Sequence, residues 1–183
     1  EKAFAAARRM KKPVSFIVNQ MDREHAHFGK TVAQYREKFG SGITVVYMPI
    51  MIDSVFAGYI NILENKAYMF EGKGVRECPI PEEFAEEVAA YRQNLVENAA
   101  ASDEALLEKF FAGEELDQQD IFRGLKTCVA SRDIFPVFVC SAEEDKCVRE
   151  LMDGLISILP TAADATPVQA QNAAGETVEG SVT

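Results

Sequence analysis

The chain has 183 residues, 48% of them hydrophobic, so it is long and apolar enough for one large domain or two small ones with packed cores. No apolar run reaches the roughly 18 to 20 residues that span a bilayer, and the start lacks the basic-then-apolar layout of a signal peptide. These features exclude an integral membrane protein and predict a cytoplasmic protein with no membrane partner.

The formal net charge of −10 is concentrated in residues 82–120, which hold twelve acidic residues and two basic ones, Arg92 and Lys109. The rest of the chain is neutral overall, so we predict an acidic lobe inserted into a neutral frame. Direct nucleic-acid binding by that lobe is not expected, because phosphate contacts need lysine and arginine. The four cysteines lack Cys-x-x-Cys spacing and are interpreted as reduced thiols, with Cys140 as core filler.

The first forty residues show an α/β pattern. A helical apolar stripe over residues 2–11 ends before Pro13, and the apolar run Pro13–Val18 is typical of a parallel strand that is buried on both faces. After a polar loop, Phe28, Val32, Tyr35 and Phe39 recur with helical spacing, and Gly40 ends that helix.

The middle of the chain predicts an α+β unit, and the α/β pattern then returns. Strand-like runs at Ile43–Ile52, Ala57–Leu63 and Ala67–Phe70 predict a small, largely antiparallel sheet. Three helices follow, one from Pro81 to about Ala100, one capped by Ser102, and one capped by Asp117. A buried strand at Ile134–Cys140 and a helix over Val148–Leu159 come next, and residues 161–183 have the composition of a linker or the start of another domain.

The loop after the first strand carries the clearest chemical signal. Guanine presents two donors, N1–H and the 2-amino group, on one edge, and an in-plane carboxylate accepts from both. Asp22 follows a parallel strand, where ligands of open α/β sheets bind. Asn19 would brace the loop and accept or donate at the other edge of the purine. An Asn-x-x-Asp after a strand is also a common turn former, so the tetrapeptide leaves both interpretations open.

A second signal lies far along the chain. Ser141 and Ala142 follow the next α/β strand, so their backbone N–H groups are expected at the same sheet edge as Asn19 and Asp22.

Both signals resemble elements of one family. Asn19–Glu24 (NQMDRE) resembles the NKMDRE element of translation elongation factor G, and Phe135–Phe138 with Ser141-Ala142 resembles its later serine-alanine element. Segments similar to that family's G-prime insertion occur at Phe56–Leu63, Lys66–Tyr68, Ile80–Glu83, Glu108–Phe110 and Gly113–Leu116. The resemblance covers nearly all of residues 1–160.

The resemblance implies an α/β fold, part of a P-loop GTPase sheet of Rossmann-like type with an inserted α+β subdomain. Residues 1–40 and 132–160 would form the guanine-recognition part, and residues 41–131 the acidic insertion. It implies that Asp22 binds guanine with support from Asn19, and that the Ser141-Ala142 backbone meets the base oxygen. GTP or GDP would be the ligand, and the ribosomal stalk protein would be the partner of the insertion.

Two departures qualify the implied activity. The family's lysine, whose stem covers one purine face, is Gln20 here, and the acidic run Glu143-Glu144-Asp145 would disfavour an anionic ligand, so we expect weakened nucleotide binding. No phosphate loop is present: Gly29-Lys30-Thr31 has Glu24 in place of the required first glycine. We therefore expect the phosphate and Mg²⁺ sites of the complete protein to lie upstream, and no GTP hydrolysis by this chain alone.

Three alternatives to a translocation-promoting elongation factor G stay open. The layout is shared by release-factor recyclers and tetracycline ribosomal-protection proteins. The third is a protein-interaction module of a GTPase paralogue, in which nucleotide use is vestigial and the insertion docks a ribosomal or other basic partner.

Overall fold

The computed structural model describes residues 1–161, 164, 168–171 and 177–180. The helices are α1 Lys2–Arg9, α2 Phe28–Phe39, α3 Ala85–Ala100, α4 Glu104–Phe111, α5 Gln118–Ser131 and α6 Val148–Ile158, with a 3-10 helix over Glu82–Phe84. The strands are β1 Phe16–Val18, β2 Ile43–Val45, β3 Tyr47–Ile52, β4 Val55–Asn61, β5 Lys66–Glu71, β6 Gly74–Cys78, β7 Phe135–Val139, β8 Val168–Gln171 and β9 Thr177–Gly180. The predicted α/β class, with a parallel sheet and a second α+β part, is confirmed.

The parallel sheet has the strand order β1-β7-β2. β7 lies in the middle and all five of its residues are buried, which explains its continuous apolar sequence. It pairs with β1 so that Ile17 lies opposite Phe138, although the two strands are more than a hundred residues apart in the chain. Because all three strands run in the same direction, the loops that follow β1 and β7 emerge at the same edge.

An aromatic cluster packs α1 and α2 against one face of this sheet. Phe4 lies 4.7 Å from Phe39 between ring centroids, and Phe16 lies 4.9 Å from Phe39. Each such pair contributes about 0.5–1.5 kcal/mol beyond the apolar area it buries. The expectation that β1 is buried on both faces is wrong, because Ile17 points away from this cluster and is 43% exposed. β1 lies at the edge of the described sheet, with α1 and α2 covering the Phe16 face.

The antiparallel sheet has the order β3-β4-β5-β6. The expectation that Ile43–Ile52 forms one strand of this sheet is wrong, since Ile43–Val45 pairs in parallel with β7 and only Tyr47–Ile52 joins the antiparallel sheet. Val46 connects the two sheets: its N–H donates to Val137 O and its carbonyl accepts from Ile62 N. β6 was not predicted, because its charged, mostly exposed residues lack an apolar pattern.

Helices α3 to α5 cover the place where the sheets join. Asn98 Nδ2 of α3 donates to Thr44 Oγ1 of β2 at 2.7 Å, and Arg92 donates to the carbonyls of Ile62 and Leu63. The acidic helices therefore pack on the parallel sheet as well as on the antiparallel one.

Of the two N-caps predicted for these helices, one is confirmed and the other is shifted by one residue. Asp117 caps α5, as predicted, by accepting from Asp120 N. The cap of α4 is Asp103 and not Ser102, because the extended backbone of Asp103 aims its carboxylate at the N–H groups of Ala105 and Leu106.

Two glycine-to-alanine substitutions should change stability in opposite directions. A Cβ at Gly124 of α5 would lie 2.4 Å from Ala99 O of α3, so we expect Gly124→Ala to lower the free energy of unfolding by about 1–3 kcal/mol. Gly29 lies in the first turn of α2 and has open space around a Cβ. Because alanine favours a helix more than glycine does, Gly29→Ala should raise the free energy of unfolding by about 0.5–1 kcal/mol. Urea unfolding of both variants measures these free energies. Equal changes in the two variants would contradict the close approach of α3 and α5.

The predicted linker over residues 161–183 lies largely outside the described residues. Within it, β8 and β9 pair antiparallel, with Val168 opposite Gly180. In the part of the chain that the structure describes, none of the helices has the length and apolar character needed to cross a bilayer.

Candidate functional site

The loops that follow β1 and β7 are held together by backbone pairing. Cys140 N donates to Val18 O at 3.1 Å, and Met21 N donates to Cys140 O at 3.3 Å, so the β1–β7 pairing continues past both strands. The Met21 side chain is 1% exposed and anchors the first loop in the core. This brings Asn19, Gln20 and Asp22 to the same edge as Ser141 and Ala142.

The side chain of Asn19 has a defined orientation. Its Oδ1 accepts from Gln20 N at 2.8 Å, from Ala142 N at 3.0 Å and from the Cys140 thiol at 3.4 Å. Three donors around one atom identify it as the oxygen of the carboxamide. Its Nδ2 group is therefore the end that is left to donate to a ligand.

Asp22 is held by the second loop. Ser141 Oγ donates to Asp22 Oδ1 at 2.5 Å, and the Asp22 side chain is only 11% exposed. The hydrogen bond from the Ser141 hydroxyl is the main cause that holds the pKa of Asp22 below its usual value, and it outweighs the opposing effect of burial. Asp22 is thus an anionic acceptor at neutral pH. Arg23 Nε lies 3.5 Å from its other oxygen, Oδ2.

Removing the Ser141 hydroxyl should raise the pKa of Asp22. In Ser141→Ala the carboxylate loses its strongest hydrogen bond, so the folded-state pKa moves back toward that of the unfolded chain. The wild-type shift contributes stability at pH values above about 4, and that contribution is lost as the pH falls through the depressed folded-state pKa. The variant should lose the part of this acid dependence that the Ser141 hydroxyl provides, while the charges of Arg23 and Lys146 still lower the pKa of Asp22.

Carboxyl ¹³C titration by NMR measures the Asp22 effect directly. Asp164 serves as an internal reference, because its pKa is lowered mainly by Thr161 and should not change in the variant. An unchanged Asp22 titration in Ser141→Ala would contradict the assignment.

Gln20 occupies a strained turn between Asn19 and Asp22. Its φ of 63° lies in the left-handed region, and Arg23 N donates to Gln20 O at 3.1 Å to close the turn. The side chain is exposed, so it is available to lie against a ligand at this edge.

The predicted backbone donors of the second loop already have internal partners. Ser141 N donates to Lys146 O at 3.0 Å, and Ala142 N donates to Asn19. A ligand oxygen at this edge would therefore share the Ala142 N–H with Asn19.

Three contacts were not foreseen from the sequence. Arg23 forms an ion pair with Glu143, which links the two loops, and Glu144 pairs with Lys146 at 2.7 Å. Two of the three acids in Glu143–Asp145 are thus compensated, so the run is less repulsive to an anion than expected. Cys140, expected only to fill the core, also donates to Asn19. The sequence offers no signal for the Arg23–Glu143 pair, because its members are 120 positions apart.

Gly29-Lys30-Thr31 lies in the first turn of α2, where the Thr31 hydroxyl donates to His27 O at 3.0 Å. The described residues contain no group of three or more His, Cys, Asp and Glu side chains that could hold a metal ion.

Comparison with known proteins finds a matching family model and similar solved structures. The family model described as the elongation factor Tu GTP-binding domain matches residues 1–161. A crystal structure of a protein from Thermus thermophilus is similar to this chain with a TM-score of 0.81 and 26% sequence identity over 91% of the chain. The chain spans about a quarter of that protein's length, since the match covers 25% of it.

Proposed function

Since this chain belongs to the family of the elongation factor Tu GTP-binding domain, we propose that the edge formed by Asn19, Asp22, Ser141 and Ala142 recognises the guanine base of GTP or GDP. The observation that carries the proposal is the joining of two loops by side-chain bonds: Ser141 to Asp22 and Ala142 to Asn19. These bonds fix an anionic acceptor and an outward amide donor at one sheet edge.

This pair of groups suits guanine and not adenine. Asp22 accepts from N1–H and the 2-amino group, and each of its oxygens has a second lone pair beyond the bonds described above. Asn19 Nδ2 donates to an acceptor on the opposite edge of the purine. Adenine has no donor at N1 and no 2-amino group, so its binding would leave the ligand-facing lone pairs of the Asp22 carboxylate without a donor, at a cost of about 1–3 kcal/mol or more.

The finer part of the proposal concerns the parent protein. We infer an elongation factor G-type translational GTPase that promotes ribosomal translocation in the cytoplasm. Residues 1–40 and 132–160 form its guanine-recognition part, and residues 41–131 form its G-prime-like insertion. The pairing of β2 with β7 in the parallel sheet supports assigning residues 43–45 of this range to the guanine-recognition part instead. Mg²⁺ and the phosphates would be bound by other parts of that protein.

The insertion is proposed to dock the ribosomal stalk protein. A groove of about 1010 Å³ runs between α3 and the loop that joins α4 to α5, with the acidic residues Glu82, Glu114 and Glu115 among its lining. An apolar floor with an acidic rim fits a partner that presents a basic helix. This groove also supports the alternative function, a protein-interaction module of a GTPase paralogue.

NMR titration separates the two functions. Adding GMP to the ¹⁵N-labelled chain should shift the amides of Gln20 and Ala142, and AMP at the same concentration should not. Equal shifts with both nucleotides, or none with either, would overturn guanine recognition and leave the docking module.

Gln20→Lys should strengthen guanine binding. The longer lysine stem covers more of a purine face, and its positive charge favours an anionic nucleotide. We expect GMP affinity to rise several-fold in the same titration, with the shorter Gln20→Ala as the control that lowers it. Unchanged GMP affinity in both variants would remove Gln20 from the site.

A further inference from the structure

Five cations surround the C-terminal ends of α1 and α5, and we call them the basic end: Arg8, Arg9, Lys11 and Lys12, which are exposed, and Arg132, which is half-buried. They lie at the amino edge of the parallel sheet, because Lys12 precedes β1 and Arg132 precedes β7 in the chain. The proposed guanine site is at the opposite edge of the same sheet.

The backbone of the basic end is fixed in an uncommon way. Lys11 and Arg132 have φ values of 53° and 72°, in the left-handed region where a helix usually ends on glycine. Each helix end is closed by the bond expected of that motif, from Lys12 N to Ala7 O and from Asp133 N to Cys128 O. A side chain in this conformation costs roughly 1–2 kcal/mol, so both positions carry a cation where glycine would be more stable.

The two helix ends are also bonded to each other. Arg8 Nη1 donates to Arg132 O at 2.8 Å, and Arg132 Nη1 donates to Lys11 O at 3.3 Å. These bonds, and the favourable interaction of cations with helix C-termini, account for Arg8 and Arg132. Arg9, in the last turn of α1, gains the same helix-end interaction, whereas the ammonium groups of Lys11 and Lys12 have no hydrogen bond or ion pair among the described residues.

The basic end stands out against the charge of the chain. Although 29 acidic residues are present, none of its five cations forms an ion pair with a carboxylate among the described residues. The nearest acid in sequence, Asp133, accepts instead from the Ser131 hydroxyl. A cluster of uncompensated cations in a chain of net charge −10 creates a local positive field that attracts a polyanion.

We propose that the basic end binds the phosphate backbone of RNA without regard to sequence. Ammonium and guanidinium groups supply phosphate contacts, and the rest of the acidic surface would confine RNA to this end. Met10 is the large apolar side chain exposed among these cations, at 63%, which is too little apolar surface for a peptide groove or for membrane insertion. The choice of RNA as the polyanion rests on the proposed function in translation, whereas the surface itself does not depend on the guanine site.

Fluorescence anisotropy with a labelled 20-nucleotide oligouridylate tests the proposal without any guanine nucleotide. The test variant combines Arg9→Gln, Lys11→Gly and Lys12→Gln, and the control combines Lys30→Gln, Lys73→Gln and Arg149→Gln. All three control positions are cations outside the basic end, so both variants have a net charge of −13, three units below the −10 of the wild type. The test variant should bind on the order of tenfold more weakly at 50 mM salt. Its slope of log affinity against log salt should shrink by about 2, because each lost phosphate contact on a single strand removes about 0.7.

Folding and partner controls make the outcome decisive. Lys11→Gly alone should raise thermal stability, since glycine relieves the left-handed strain, while it weakens RNA binding. Equal losses in the test and control triples, or no RNA binding by the wild-type chain, would overturn the proposal. Binding to phosphatidylserine vesicles or to a polyglutamate peptide in place of RNA would also overturn it. None of these results bears on GMP binding, so the failure of one proposal is distinguishable from the failure of the other.

Discussion

Replacing Asp22 with asparagine is expected to invert the base preference of the chain from guanine to xanthine. In the proposed binding mode, the wild-type carboxylate accepts from two guanine donors, N1–H and the 2-amino group. Xanthine keeps N1–H but carries a carbonyl oxygen in place of the 2-amino group, so it offers one donor and one acceptor. The carboxamide of Asp22→Asn presents one acceptor and one donor, which matches that pattern. Guanine would instead place its amino group against the amide N–H₂.

The expected change in base preference is large because the Asp22 carboxylate is charged and its side chain is only 11% exposed. Two charge-assisted hydrogen bonds at about 1.5 kcal/mol each make roughly 3 kcal/mol, or about a hundredfold in relative affinity. NMR titrations with GMP and XMP measure this ratio in the wild type and in Asp22→Asn. Asp145→Asn is the matched control, since Asp145 is an exposed acid of the second loop for which no contact to Asn19 or Asp22 is described. An unchanged GMP to XMP ratio in Asp22→Asn would show that this carboxylate does not contact the base.

The second large effect is expected at Asn19, where two substitutions should separate folding from binding. Asn19→Ala removes the acceptor that Gln20 N, Ala142 N and the Cys140 thiol share. Two of these donors are exposed and can turn to water, so we expect a loss of about 1–2 kcal/mol in the free energy of unfolding, together with loss of GMP binding.

Asn19→Asp keeps the internal acceptor and changes only the outward group. Its carboxylate can accept the same three bonds, but its second oxygen would face the purine acceptor in place of Nδ2. We therefore expect stability within about 0.5 kcal/mol of the wild type, and GMP binding weakened on the order of a hundredfold by the unmatched acceptors. Urea unfolding and GMP titration of both variants test this. GMP binding retained by Asn19→Asp would contradict the assigned orientation of Asn19.

The local elements were predictable where one short-range signal decides them. The apolar stripe of α2, the capping of α5 by Asp117 and the buried sequence of β7 each depend on neighbours within a few residues. The Asn19–Asp22 loop and the Ser141-Ala142 pair were found in the same way, since each follows an apolar strand.

Errors arose where a partner distant in sequence decides the outcome. Ile43–Ile52 looks continuous, but its first three residues meet β7 and the rest meet β4, so the chain changes sheets at Val46. Ile17 is as apolar as its neighbours, yet it lies on the uncovered face of an edge strand. Periodicity records which residues are apolar and does not record which surfaces cover them.

The sequence by itself determined the chemistry of the candidate site, namely one carboxylate, one carboxamide and a serine-alanine pair, each placed after a strand. Only the tertiary structure decided how these groups are oriented. It turns Asn19 Nδ2 outward, lowers the pKa of Asp22 through Ser141, and links Arg23 to Glu143. The physical reason is that hydrogen bonds act over about 3 Å, and the groups that set these orientations lie about 120 positions apart and meet only when β1 pairs with β7.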